Sequence, residues 1–115
     1  VRTDSPAEAD ALVAAAPAGS LIVNATGLGK DRPGSPLTDA VVFPERAVVW
    51  EFNYRGTLEF LHQAEAQQVA RELTVVDGWR YFIHGWSQVV ADVFELELDA
   101  GTVERRATAA ESVRR

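Results

Sequence analysis

The stretch AVVWEFNYRG, residues 47–56, is a short aliphatic run that stops abruptly in polar residues and a glycine. So few apolar residues in an unbroken run, closed by turn-formers, predict a strand buried on both faces rather than a helix. Leu21 to Ala25 repeats the pattern upstream, and Leu73 to Val76 repeats it downstream. Between the second and third runs lies TLEFLHQAEAQQVARE, residues 57–72, with Leu58, Leu61, Ala64 and Gln68 at helical spacing. That spacing predicts an amphipathic helix packed on a sheet. The third run is followed by GWRYFIHGWSQVVADVFEL, residues 78–96, which sets Trp79, Phe82, Ile83, Trp86, Val89, Val90 and Val93 on one broad helical face. Trp79 and Trp86 are expected in the core.

At the start of the chain, DSPAEADALVAAAP, residues 4–17, offers Asp4 or Ser5 as a cap, Pro6 in the first turn and a run of alanines. A helix is predicted there, ended by Pro17 and Gly19, with Val1 to Thr3 the last residues of a preceding strand. From Asp99 the chain is polar and weakly patterned, giving a terminal helix or a frayed tail. Short buried strands alternating with helices predict an α/β fold with parallel crossover units and helices on both faces of the sheet. The domain boundary is expected at residues 98/99. Three or four strands make a narrow sheet with an exposed edge, so the first buried strand is expected to pair with something outside this chain or with a second copy.

The 115 residues fit one small domain, and 47% apolar with 24% charged content is ordinary for a globular protein. With 17 acidic against 11 basic residues the formal charge is −6, which disfavours nucleic-acid binding because no net cationic field draws phosphates in. The absence of cysteine excludes thiolate chemistry and Cys-based metal sites, and two histidines are too few for a His-only cluster. No apolar run reaches bilayer-spanning length and the first residues lack a signal pattern. No membrane association and a cytoplasmic location are the expectations.

Ligands of open parallel sheets bind at the carboxyl ends of the strands. Here those ends carry Asn24, Thr26, Gly27 and Gly29, then Glu51, Asn53, Tyr54, Arg55 and Gly56, then Asp77 and Gly78. Two readings of this row stand side by side. In one, the groups line a ligand crevice; in the other, Asn24 and Thr26 only bond local backbone, Asp77 caps the next helix, and Lys30, Asp31 and Arg32 form a solvated loop. GLGKDRPG has neither dinucleotide-loop spacing nor that of a P-loop, so it does not cradle phosphate. His84 is expected as a helix-surface or packing residue and not as a catalyst.

VNATGLG (23–29), VVWEFNYRGTLEFL (48–61) and VVDGWRYFIHGWSQ (75–88), in this order and spacing, resemble the C-terminal part of the shikimate/quinate dehydrogenase family, most closely its shikimate dehydrogenase-like branch. The family patterns are V-N-[AT]-T-x-x-G, [VY]-x-D-x-x-Y-x-P-x-x-T-x-[LF]-L and D-G-x-x-M-L-x-x-Q-A. The resemblance implies the second half of a doubly wound, Rossmann-like domain that binds NADP or NAD and serves hydride transfer to or from a cyclic polyhydroxy carboxylate. It implies that Tyr54 contacts substrate, that Phe52 and Gly78 flank the nicotinamide, and that Asn24, Thr26 and Gly29 lie beside the cofactor. The family glutamine falls on Gly85, so either Gln88, one turn further along, substitutes for it or the gap accepts a bulkier substrate. Glu51 replaces the family aspartate, and YRG replaces Y-x-P, adding Arg55 as a cation suited to a carboxylate or phosphate. The catalytic lysine and aspartate and the glycine-rich loop of the family would lie upstream of Val1. The resemblance therefore implies no catalytic residue in this chain and an N-terminal segment, partner chain or second copy to complete the site. The alternative is a non-catalytic binding or regulatory module that uses the same crevice for a small anion.

Overall fold

A computed structural model describes residues 1–113, and these divide into two compact units, one ending at Gly78 and one beginning at Trp79. Among the described residues the fold is α/β, with a three-stranded parallel sheet and four helices.

In the first unit, α1 (Pro6–Ala15) starts where the sequence signals it: Ser5 is the N-cap, its hydroxyl accepting from the Glu8 amide at 3.3 Å, and Pro6 opens the first turn. Val1 to Thr3 precede it without strand structure, which corrects the expectation of a strand remnant there. The three aliphatic runs form β1 (Leu21–Asn24), β2 (Val48–Glu51) and β3 (Thr74–Val76), in the order β1-β2-β3. The register pairs Leu21 with Val48 and Thr74, Val23 with Trp50 and Val76, and Asn24 with Glu51. Because side chains alternate along a strand, that register sorts them onto two faces.

One face carries Ile22, Val49 and Val75 and packs on the core formed by Leu37, Val41, Phe43, Ala47, Phe60, Ala64 and Leu73, with Ala9 and Val13 of α1 against it. Phe43 and Phe60 meet edge to face at 5.9 Å, and each buries enough apolar surface to contribute about 1.5–3 kcal/mol. The opposite face differs from expectation. Leu21, Val23 and Val76 are exposed, so these strands are not buried on both sides.

The predicted helix after β2 is shorter than its pattern, with α2 spanning Glu59–Glu65 and turns completing the path to β3. Leu58, Leu61 and Ala64 are buried as their spacing requires, whereas Gln68 is exposed. No helix joins β1 to β2. Residues 25–47 instead make a long connection held by two glutamines: Gln63 Nε2 donates to Asp39 Oδ1 at 2.9 Å, and Gln67 Nε2 donates to the Val41 carbonyl at 2.8 Å while Gln67 Oε1 accepts from the Phe43 amide. Such bonds satisfy backbone groups that a structureless buried segment would leave orphaned.

The second unit is a helix pair, α3 (Trp79–Phe94) and α4 (Ala100–Glu111). Ala91, Val103 and Ala107 are its buried residues, and Trp79 Nε1 donates to the Ala107 carbonyl at 3.5 Å. Asp99 caps α4, accepting from the Thr102 amide at 2.9 Å, so the polar C-terminal segment is a terminal helix and not a frayed tail. Trp86 is exposed, against its expected core position, as are Val89, Val90 and Val93 on the same helix. No helix among the described residues is long and apolar enough to cross a membrane.

Candidate ligand site at the strand ends

The in-register pair at the carboxyl ends of β1 and β2, Asn24 and Glu51, is fully buried and polar. Both side chains are engaged within the protein. Asn24 Nδ2 donates to Glu51 Oε2 at 2.8 Å and to the Leu28 carbonyl at 3.3 Å, while Asn24 Oδ1 accepts from the Thr26 amide and hydroxyl at 3.0 and 2.7 Å. Glu51 Oε1 accepts from the Asn53 amide at 2.8 Å, and Asn53 Nδ2 donates to the same Leu28 carbonyl at 2.8 Å. Burial pushes the Glu51 carboxyl above its usual range, and the bonds from Asn53 and Asn24 partly offset that rise. The network ties the loop after β1 to the loop after β2, so Asn24 and Thr26 shape the junction between the two loops.

Glycines complete the tie. A Cβ on Gly56, whose φ is +100°, would lie 2.7 Å from Lys30 Cα and closer still to the carbonyls of Gly29 and Lys30. A Cβ on Gly78 would lie 2.6 Å from the Asn53 carbonyl oxygen and closer still to that of Phe52, and the Gly78 amide donates to Asn53 at 3.2 Å. Gly29, at φ +90°, is buried with its carbonyl accepting from the Leu58 amide at 3.0 Å. These three glycines are required by contacts between loops. Gly27 is different, since at φ +77° it is exposed with open space where a side chain would stand, leaving its backbone approachable by a ligand.

Tyr54 is half-buried beside this junction, with Lys30 Nζ 4.9 Å and the Arg55 guanidinium 5.8 Å from its ring centroid. Both lie within the range of cation–π attraction. Arg55 Nη2 also pairs with Asp31 Oδ1 at 2.7 Å on the exposed rim. Asn24, Thr26, Gly29, Phe52, Tyr54, Arg55 and Gly78 thus all belong to one set of adjoining strand ends. Gln88 lies on α3 in the second unit, where its Nε2 donates to Asp92 Oδ1 at 2.8 Å. Gly85, also on α3, opens a groove of about 310 Å³ lined by Tyr81, Phe82, Trp86 and Val89. His84 is exposed on the same helix and faces Glu104, its Nε2 3.4 Å from Oε2.

The sequence places Asn53 among the strand-end polar groups and Lys30 in a solvated loop, but it does not show that Asn53 ties the two loops together or that Lys30 lies over the Tyr54 ring. The register was the available signal, because a polar residue paired with Asn24 at the end of a covered face must find partners in the adjoining loop. A larger cavity, about 450 Å³, runs along α2 between Asp39, Glu59, His62, Gln63, Ala66 and Gln67. Its polar groups are already engaged: Gln63 with Asp39, Gln67 with Val41 and Phe43, His62 with Glu65 at 2.9 Å, and Glu59 with Thr57 at 2.5 Å. The chain matches no protein-family model, no curated protein and no solved structure.

Proposed function

We propose that the strand ends form the nicotinamide side of an NAD(P)-dependent oxidoreductase site of the shikimate/quinate dehydrogenase type, acting on a cyclic polyhydroxy carboxylate. The observation that carries this reading is the row of three adjoining parallel strand ends, joined where Gly78 packs on Phe52, with a half-buried tyrosine after the second and approachable backbone at Gly27 after the first. Open parallel sheets bind their ligands at that end. In this reading the sheet is part of a doubly wound Rossmann-like fold, and the outer edge of β1 receives the strands that complete it.

Within such a site Tyr54 donates to and accepts from a substrate hydroxyl on a rigid ring. Phe52 and Gly78 supply a wall of main chain for the nicotinamide, and Asn24, Thr26 and Gly29 hold the neighbouring loop in shape. The cofactor supplies the hydride, and the chain orients the two reactants. Proton transfer falls to groups outside this chain. A second reading, a non-catalytic module for a small anion, is favoured by the placement of cations over Tyr54 and by the commitment of Asn24, Glu51 and Asn53 to internal bonds.

Calorimetric titration of the chain with nicotinamide mononucleotide and with AMP, each with and without quinate, tests the proposal. Saturable binding of the nicotinamide half, tightened by quinate, with no binding of AMP, is the expected result. Failure of nicotinamide mononucleotide to bind overturns the reading, and quinate binding without it leaves the anion module.

A further inference from the structure

We infer that Lys30, and not Arg55, is the residue that binds the anionic group of a small carboxylate in the crevice beside Tyr54. The inference rests on the strand-end site proposed above, though on neither its cofactor nor its reaction.

Both cations lie over the Tyr54 ring, but their charges are not equally available. Arg55 is bonded to Asp31 at 2.7 Å, so that pair sums to zero and an incoming carboxylate meets the Asp31 charge beside the guanidinium. Among the described residues no carboxylate lies within ion-pair distance of Lys30. The other charged neighbours in the loop are Asp31, engaged by Arg55, and exposed Arg32. Glu51 is fully buried beneath the loop.

Lys30 is also held at both ends. Its amide donates to the Gly27 carbonyl at 3.3 Å, and Gly56 packs so closely on its main chain that no side chain fits between them. The half-buried side chain then carries the ammonium to the ring at 4.9 Å. A cation placed in this way loses little conformational freedom on binding, and the ring shields one side of it from water. A carboxylate that approaches the open side of this ammonium forms a charge-assisted hydrogen bond with it, which selects acids over their neutral analogues.

Shikimate and its methyl ester, titrated into the intact chain without cofactor, separate charge from shape. Lys30→Met is expected to weaken shikimate binding about ten-fold or more while leaving the ester unchanged, and Arg55→Met is expected to weaken it less than about three-fold. Lys30→Gln, which keeps a polar stem, should reproduce Lys30→Met, and far-UV circular dichroism confirms the fold of each variant. The inference is overturned by unchanged shikimate affinity in both Lys30 variants, by a larger loss in Arg55→Met, by equal losses for acid and ester, or by no binding of shikimate or quinate to the unaltered chain. Lys30-dependent acid binding without any binding of nicotinamide mononucleotide upholds this inference while removing the oxidoreductase reading.

Discussion

Gly78, at the carboxyl end of β3, packs main chain against main chain on Phe52, at the carboxyl end of β2, with no room for a Cβ between them. The contact brings the second and third strand ends together without any side chain, and it accounts for glycine at this position through protein packing.

Gly78→Ala is therefore expected to cost about 3 kcal/mol in urea unfolding, because the added methyl meets the main-chain carbonyl oxygens of Phe52 and Asn53, which are fixed just beyond β2. Gly85→Ala is the contrasting substitution. It lies in the middle of α3 with open space around it, and replacing glycine by alanine in a helix should stabilise that helix by about 0.5–1 kcal/mol. Equal effects of the two substitutions would contradict this account of the glycines.

Glu51→Gln is expected to destabilise the chain by about 1–3 kcal/mol, because the amide presents one oxygen to two donors and leaves either Asn24 Nδ2 or the Asn53 amide facing an NH₂. Its pH dependence has a definite sign. The folded-state carboxyl titrates above its unfolded value, so the folded protein holds the proton more tightly, and stability falls as pH rises from about 4.5 through the raised value. The gap between parent and variant should thus be widest at low pH and narrow towards neutrality. Denaturation at a series of pH values measures it, and a gap that widens with pH would mean that the bonds from Asn53 and Asn24 outweigh burial.

Much of the fold was legible in the sequence because its signals were local. Ser5 and Pro6 marked the first helix, and the three aliphatic runs became the three strands within a residue or two. The errors arose where tertiary context decides. Aliphatic continuity made Leu21, Val23 and Val76 look doubly buried, yet hydrophobic sequence does not say which face an element covers, and the helices of the first unit pack on one side. Phe43 lies in a connection without regular structure and carries no periodic signal, although it is fully buried in the core. At the site, the residue types were visible but their commitments were not. Asn24 and Gly78 suit both a ligand wall and a loop junction, and only the distances show that they make the junction.

The central claim is that the strand ends are a ligand site, and amide shifts in two-dimensional NMR test it most directly when quinate and nicotinamide mononucleotide are added together to the labelled chain. The account predicts saturable shifts confined to Thr26, Gly27, Lys30, Phe52, Tyr54 and Gly78, with α2 unmoved. Shifts centred instead on Asp39, His62 and Gln63, or no saturable shift at any residue, would contradict it.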